Sequence, residues 1–274
     1  MLSKRQMAID AMQQHEEMLQ CPLCKEPMHV TDTGSLQCTA RHAYDIAKQG
    51  YVYLLTKPMQ SMYSKELFEA RHDVIASGLY DEVQQSVAQL LPAGRVLDTG
   101  CGEGSHLVRM LATREDVTGV GIDIAKEAIV AAAKFATGPI WCVGDLANSP
   151  YRAGSFSSIL NFLSPANYDE FKRLLSEDGV VIKVVPEAGY LQELRAQAFA
   201  DSEKETYSNE QTVARFKENF TQVEQHRITY TKPLAQELVP KLLQMTPMGW
   251  HVEQKEQVQL PQITIDVSIL VGRV

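Results

Sequence analysis

The chain has 274 residues, 45% of them hydrophobic, which suffices for one large domain or for a domain with a small module. Its formal net charge of −8 argues against a broadly basic surface that holds long duplex nucleic acid by charge alone, so any nucleic-acid contact has to come from a local patch. No apolar run approaches the ~20 residues that span a bilayer. The five cysteines, in a chain without a signal-peptide pattern, are expected to be reduced thiols or metal ligands in a cytoplasmic protein.

The N-terminal segment, residues 1–19, has a loose helical pattern formed by Met7, Ile9, Met12 and Leu19 among polar residues. We expect a short docking helix there, and a frayed terminus is the alternative.

A cysteine and histidine pattern follows, in the form C-x2-C-x13-C-x3-H, at Cys21, Cys24, Cys38 and His42. Two close pairs, each on a tight turn, can place four ligands tetrahedrally around zinc, and the turn and short polar strands over 31–37 suit a small ribbon. The alternative is thiols that pack as small hydrophobic side chains. Four protein ligands leave no open position, so the zinc is expected to be structural.

Residues 42–55 alternate apolar and polar side chains and include Tyr44, Tyr51 and Tyr53. Five basic and three acidic residues lie between 41 and 72, so this stretch is net positive in an acidic chain. The tyrosines could stack on unpaired bases beside phosphate contacts, or they could close the core of the small ribbon.

Residues 56–66 lack a clear period and are predicted to form a linker or loop. Two helices are predicted after it, over 69–78 and 80–91, the second ended by Pro92 and Gly94.

The stretch VLDTGCGEG (96–104) is an apolar strand that runs into three glycines, Gly100, Gly102 and Gly104, before a helical segment. Glycine permits a sharp turn with positive φ and lets backbone N–H groups approach a ligand closely. The G-x-G-x-G spacing differs from the G-x-G-x-x-G of dinucleotide-binding dehydrogenases, and Asp98 precedes the first glycine by two.

Acidic residues end the next two predicted strands. The strand over 118–122 ends in Asp123, about nineteen residues after the last glycine, where an acid would reach ribose hydroxyls. The strand over 139–143 leads to Asp145 and Leu146, which suit an adenine amino group and ring face. This series resembles the class I methyltransferases that bind S-adenosylmethionine, with a plain turn or an NAD site as the alternatives.

Further strands are predicted over 156–162, 180–185, 223–230 and 263–271, the last of them closing the sheet. The segments between are predicted as helices over 125–136, 168–176 and 191–200, a polar loop over 201–212 and a helical piece from Pro233. The alternation predicts an open, mostly parallel α/β sheet. The resemblance implies that this is the seven-stranded sheet of the class I methyltransferase (Rossmann-like) fold, here preceded by a small zinc-ribbon domain.

Two features together make the resemblance more specific. The CPLC ribbon is followed by DIAKQGYVYLL (45–55), and the α/β core includes ARHDVIASGLY (70–80), an SPAN loop (164–167) and LQMTPMGW (243–250). This combination resembles the bacterial ribosomal RNA guanine-N1 methyltransferases that act on a hairpin of 23S RNA. The resemblance implies three further cofactor contacts: Tyr80, the pair His106 and Leu107, and Tyr190.

The implied reaction places demands on the site. Guanine N1 carries a proton and is paired in a stem, so the base must be single-stranded or flipped out, and a group must accept the proton. Glu187 and Asp169 are candidates, although either can be an ordinary surface carboxylate, and the sequence does not assign the base. Asn161, Ser164 and Asn167 could hold the guanine edge.

The expected organisation is an N-terminal helix and zinc ribbon for RNA recognition (1–55), a linker (56–75) and a methyltransferase domain (76–274). Ribosomal RNA is the expected partner, no membrane partner is expected, and a homodimer is left open. A methyltransferase of small molecules would explain the fold but not the ribbon. A non-catalytic RNA-binding protein that keeps the cofactor fold is the other alternative, and it would not need the three acids Asp98, Asp123 and Asp145 in register.

Overall fold

The computed structural model describes residues 2–57, 59, 63–199, 206–252 and 254–274. The first part of the chain forms a three-stranded antiparallel ribbon in the order β1-β2-β3. Its strands are β1 (Met28–Val30), β2 (Ser35–Cys38) and β3 (Ala43–Asp45). Gly34, at a φ of +75°, allows the tight turn between β1 and β2, which its N–H closes on the carbonyl of Thr31 at 2.8 Å.

The predicted N-terminal helix is present as α1 (Lys4–Gln14). Ser3 caps it, because its hydroxyl accepts a hydrogen bond from the N–H of Gln6 at 3.2 Å. Met12 is fully buried, and Arg5 Nε donates to the carbonyl of Ile46 at 2.9 Å. The helix therefore docks against the ribbon, as the sequence predicted.

A second, eight-stranded sheet forms the body of the protein, in the order β10-β11-β9-β8-β5-β6-β7-β4. Its strands are β4 (Tyr51–Tyr53), β5 (Gly94–Thr99), β6 (Val117–Asp123), β7 (Ile140–Val143), β8 (Phe156–Phe162), β9 (Leu175–Pro186), β10 (Gln222–Pro233) and β11 (Gln262–Arg273). All are parallel except β11, which is antiparallel to both of its neighbours. The central strands are almost continuously apolar because the sheet is covered on both faces.

Two details of the sheet differ from the sequence prediction. There are eight strands rather than seven, because β4 leaves the ribbon and pairs in parallel with β7 at the sheet edge. Tyr51 and Tyr53 therefore belong to the large sheet, and only Tyr44 remains in the ribbon. The last strand, β11, also does not close the sheet. It lies between β9 and β10, and β10 is the edge strand.

Helices cover both faces of the large sheet, as expected for alternating strands and helices. The remaining helices are α2 (Lys65–Ala76), α3 (Asp81–Leu90), α4 (Ser105–Leu111), α5 (Lys126–Phe135), α6 (Tyr168–Leu174), α7 (Gln192–Ala198), α8 (Glu210–Asn219) and α9 (Val239–Met245). One core layer holds side chains of α3, α4, α5, α7 and α9. The other holds side chains of α1, the ribbon, α6 and α8.

Some segment predictions need correction. The loop over 201–212 ends earlier than predicted, since α8 begins at Glu210. The helical piece predicted from Pro233 begins with a 3-10 turn at Gln236 and continues as α9 from Val239. The segment predicted as a linker over 56–75 contains most of α2. Residues 58, 60–62 and 200–205 of these predicted segments lie outside the described residues. Among the described residues, no helix is both long and apolar enough to cross a membrane.

Candidate active site and metal centre

The four predicted metal ligands lie together in the ribbon. Their ligand atoms are all within 4.8 Å of one another. The Cys24 and Cys38 Sγ atoms are 3.6 Å apart, and His42 Nδ1 lies 3.4 Å from Cys21 Sγ and 3.5 Å from Cys38 Sγ. Tetrahedral zinc with metal–sulfur distances of ~2.3 Å requires ligand separations of roughly 3.5–3.8 Å. The donor set and its spacing therefore fit a zinc ion with four protein ligands.

Each ligand pair sits on a tight turn that contains a residue with positive φ. Lys25, at +62°, follows the first pair, and Arg41, at +65°, lies within the second. Burial opposes ionisation of Cys21, but hydrogen bonds from the backbone N–H groups of Cys24 and Leu23, together with the side chains of Cys24 and His42, outweigh it and lower the pKa of this thiol to about 7. The backbone thus favours the thiolate that binds zinc.

The glycine-rich loop between β5 and α4 has the backbone that the sequence predicted. Gly100, Gly102 and Gly104 all have positive φ, between 59° and 74°. A Cβ at Gly100 would lie 2.1 Å from Ser164 Oγ, and one at Gly104 would lie 2.2 Å from the ring of Trp141. Only glycine fits these two positions, so the loop can follow the end of the strand closely.

The predicted acids lie at the carboxyl ends of neighbouring strands. Asp123, at the end of β6, accepts hydrogen bonds from the N–H of Gly102 at 2.9 Å and from that of Ala125 at 2.8 Å. Asp145 follows β7 and accepts from the N–H of Ala147 at 2.8 Å. Asp123 therefore holds the second glycine of the loop beside the end of the adjacent strand.

These elements line a cleft of about 420 Å³ at the carboxyl edge of the sheet. Five of the predicted cofactor residues border it, namely Gly100, Gly102, Asp123, Asp145 and Leu146. Beneath the loop, Asp98 is 1% exposed, and its Oδ1 has no hydrogen-bond partner. Burial raises the pKa of Asp98 to about 7. An orphaned carboxylate of this kind fits a ligand with positive charge, and S-adenosylmethionine carries both an ammonium and a sulfonium group.

Arg71 of α2 is a residue of this site that the sequence analysis missed. Its guanidinium would lie 3.5 Å from a Cβ at Gly102, and its Nε is 3.1 Å from an oxygen of buried Glu103. Neither oxygen of Glu103 receives a hydrogen bond. Arg71 therefore pairs with the buried carboxylate of Glu103 from across the loop.

A second cavity of about 360 Å³ adjoins the first. Tyr80, His106 and Tyr190, which the resemblance implies as cofactor contacts, line this cavity and are absent from the lining of the first cleft. The hydroxyls of the two tyrosines are 2.8 Å apart, and the His106 ring stacks on Phe162 with centroids 3.8 Å apart. Burial holds the pKa of His106 well below its usual range, so this ring is neutral. This cavity, called the aromatic cavity below, thus combines four ring side chains, the fourth from Tyr207, with aliphatic and proline side chains beside the cofactor cleft.

Several predicted residues lie elsewhere. Leu107 is fully buried in the core and is absent from the lining of both cavities. Asn167 caps α6, accepting from the N–H of Glu170 at 3.2 Å, and lies with exposed Asp169 in a separate surface depression. Glu187 accepts a hydrogen bond from Ser268 and also borders neither cavity. Both carboxylates proposed as proton acceptors are therefore outside the described cavities.

Asn161 is fully buried and its amide is already committed. Its Nδ2 donates to Thr99 Oγ1 at 3.0 Å and to the carbonyl of Pro165 at 2.9 Å, and its Oδ1 accepts from Lys183 Nζ. Of the three residues expected at the guanine edge, Ser164 alone lines the two cavities.

Lys183, which lines the second cavity, is another residue that the sequence analysis missed. The sequence signal that could have drawn attention to it is a lysine inside the apolar run VVIKVVP (180–186).

Two family profiles match the chain. One, described as the RlmA N-terminal zinc ribbon, matches residues 19–65, and the other, described as a methyltransferase domain, matches residues 96–182. In the solved complex between the Haloferax volcanii Trm112 methyltransferase activator and its methyltransferase, one chain has a similar fold. It is 15% identical with a TM-score of 0.50, and the match covers 78% of this chain and 100% of that one.

Curated relatives match over nearly the whole length. YxjB of Bacillus subtilis, assigned as a 23S rRNA (guanine-N1)-methyltransferase, is 40% identical over 93% of this chain and 96% of its own. The 23S rRNA (guanine-748-N1)-methyltransferase of Streptomyces fradiae is 29% identical over the same shares. The chain is therefore an S-adenosylmethionine-dependent methyltransferase that belongs to the family of zinc-ribbon 23S rRNA (guanine-N1)-methyltransferases.

Proposed function

We propose that this protein transfers the methyl group of S-adenosylmethionine to N1 of a guanine in a hairpin of 23S ribosomal RNA. The observation that carries the proposal is the junction of two cavities at Ser164. One cavity has the glycine loop and strand-end acids of a nucleoside site, and the other has four ring side chains that can hold a base.

In this proposal the cofactor occupies the cleft beside the glycine-rich loop. When bound, it supplies an electrophilic methyl group on a sulfonium. Asp123 takes the ribose hydroxyls, and Asp145 with Leu146 takes the adenine. At the methionine end of the cofactor, Asp98 beneath the loop offers a negative charge to the ammonium group, and Arg71 across the loop offers a positive charge to the carboxylate.

The flipped guanine occupies the aromatic cavity. Stacking against rings such as that of His106 offsets part of the cost of unstacking the base from its stem. The hydroxyls of Tyr80 and Tyr190, which the resemblance assigns to the cofactor, offer polar contacts to the base edge in this proposal, as does the backbone near Ser164. Because the two cavities share a wall, a base held in one faces a methyl group held in the other, and such positioning can account for several kcal/mol of the barrier.

The zinc ribbon positions the RNA. Four protein ligands, Cys21, Cys24, Cys38 and His42, leave the metal no open site for chemistry. Lys48, between β3 and β4, and Lys57, just beyond β4, are both exposed and can contact phosphates. Arg71, counted in the same basic stretch, is instead engaged in the cofactor cleft.

At the level of the whole chain, we propose an RNA-recognition module (1–55), a connecting segment (56–75) and a catalytic domain (76–274), with β4 of the first part completing the sheet of the last. A substrate in ribosomal RNA implies that the protein works in the cytoplasm. A homodimer remains a prediction that sedimentation analysis can check.

The proposal is tested by incubating the protein with methyl-labelled cofactor and either a 23S hairpin transcript or a small-molecule extract. We expect the label in RNA, and nuclease digestion should release it as 1-methylguanosine. Label that enters only the extract would favour a small-molecule methyltransferase. Binding of both cofactor and RNA without transfer would favour a non-catalytic RNA-binding protein.

A further inference from the structure

Lys183 is a buried amine that the proposed contacts leave unused. It lies near the end of β9, is 4% exposed and lines the aromatic cavity. Its Nζ donates to Asn161 Oδ1 and to the carbonyl of Ser164, the latter at 2.9 Å. Asn161 is itself fixed by Thr99 and Pro165, so a rigid polar chain across three strands holds the amine in place.

The position of Ser164 places this amine where the two cavities meet. Ser164 lines both cavities, and its Oγ fills the space next to Gly100 of the cofactor loop. The carbonyl of Ser164 accepts a hydrogen bond from Lys183 Nζ. The amine therefore contacts the residue that separates the two cavities, where the methyl group and the base would meet.

The surroundings of Lys183 disfavour its charged form. Among the described residues that line the cavity, none is acidic, and its titratable members are Arg71, Tyr80, His106, Tyr190 and Tyr207. The neighbouring strand β8 has no titratable side chain. On β11, Asp266 is committed to Arg227 and Thr229. Burial without a counter-charge lowers the pKa of Lys183 to about 8.

The hydrogen-bond inventory fits an uncharged amine. A neutral amine has two N–H groups and one lone pair, and two acceptors, Asn161 Oδ1 and the Ser164 carbonyl, already engage two N–H groups. The lone pair is then left for the cavity.

We propose that Lys183 is the general base that removes the N1 proton of the target guanine. The inference rests on the guanine-N1 methylation proposed above. The N1–H proton passes to Nζ, and N1 uses its electron pair to form the bond to the methyl carbon. The carbon–sulfur bond breaks, its electron pair stays on sulfur as a neutral thioether, and the lysine ammonium later returns its proton to solvent.

The test is single-turnover methylation of the hairpin transcript from pH 6.5 to 9.5. For the wild-type protein we expect the rate to rise tenfold per pH unit and to level off near pH 8. Lys183→Met and Lys183→Arg should both lose roughly 10²–10⁴-fold at pH 7.5, since neither offers a base there. In Lys183→Met the rate should keep rising with pH, without the plateau, as solvent hydroxide takes over.

Lys217→Met, the same change at an exposed lysine of α8, is the control and should keep the wild-type profile. Cofactor affinity measured by calorimetry should stay unchanged in each variant, which reports an intact fold. Near wild-type rates in Lys183→Arg, or a Lys183→Met profile that is merely scaled down, would overturn the assignment. If Lys183→Met does not fold, a wild-type rate that falls above pH 8 would overturn it as well. Absence of methylation by wild-type protein at every pH would instead refute the proposed function.

Discussion

Asp123 lines the cofactor cleft, where its carboxylate accepts hydrogen bonds from the N–H groups of Gly102 and Ala125, and we propose that it also binds the ribose hydroxyls. We expect Asp123→Ala to weaken S-adenosylmethionine binding by about 1–3 kcal/mol, the range for losing hydrogen bonds to a charged group. Isothermal calorimetry measures this, with Asp178→Ala, an exposed acid, as the control. Unchanged affinity in Asp123→Ala would remove this residue from the cofactor site.

Lys183 should also affect stability in a pH-dependent way. Burial lowers its pKa from 10.5 to about 8 in the folded chain, so between these values the unfolded chain binds a proton that the folded chain does not. Stability of the wild type should therefore rise with pH over this window, by up to ~2–3 kcal/mol relative to Lys183→Met. Urea unfolding of both proteins at pH 7.5 and 10 gives the difference. A difference that is independent of pH would show that the buried amine titrates normally.

Among single residues, the sequence analysis predicted those that belong to short motifs at the ends of strands. Gly100, Gly102 and Asp123 could be found because strand ends in a parallel sheet meet at one edge. Arg71 and Lys183 were missed because their place in the site depends on the packing of α2 and β9, which local spacing does not encode. The cofactor contact of Leu107, which the resemblance implies, stays a prediction, and the structure shows that its side chain is buried in the core.

At the scale of elements, the zinc ribbon and the cofactor cleft are in contact. Asn148, just beyond Asp145 and Leu146 of the cleft, donates to the carbonyl of Pro22 at 3.2 Å and accepts from Lys25 Nζ. Pro22 lies between the two cysteines of the first ligand pair, and Lys25 directly follows that pair. Loss of the metal should therefore disturb the adenine side of the cleft slightly rather than leave it untouched.

We accordingly expect one zinc per chain, and less than half an equivalent in His42→Ala. Cofactor affinity in that variant should fall only a few-fold, because the glycine loop is not part of the ribbon. His29→Ala, an exposed histidine of the same ribbon, should keep its zinc. Metal analysis with calorimetry checks both values, and full zinc content in His42→Ala would contradict the ligand assignment.

Element boundaries were predicted better than element pairing. Phe156–Phe162 has the predicted bounds, since its apolar run is flanked by clear turn residues. The place of β4 could not be predicted, because a three-residue strand joins whichever edge is available, here that of β7. The order of β10 and β11 likewise depends on long-range pairing that neither strand's composition determines.

For the whole molecule, an acidic chain must bind an anionic RNA through a local basic surface. Removing residues 1–55 is a poor test of this, since it would also remove β4 from the large sheet. Replacing Lys48 and Lys57 by alanine leaves the fold intact because both side chains are exposed. We expect weaker RNA binding and a salt dependence reduced by up to about two phosphate contacts, measured by titration at several salt concentrations. Lys217→Ala and Lys255→Ala together are the control, and equal binding by both double variants would exclude the ribbon surface from recognition.

The most direct test of the account is to map N1-methylated guanines in 23S ribosomal RNA from cells with and without this protein. A methyl group on N1 blocks the pairing edge, so reverse transcription stops at the modified base. We predict one stop at a hairpin guanine. The stop should be lost when the gene is deleted, and it should return when the wild-type protein is supplied but not when Lys183→Met is supplied. The account would be contradicted if both strains gave the same stops and the purified protein methylated no guanine of the RNA in vitro.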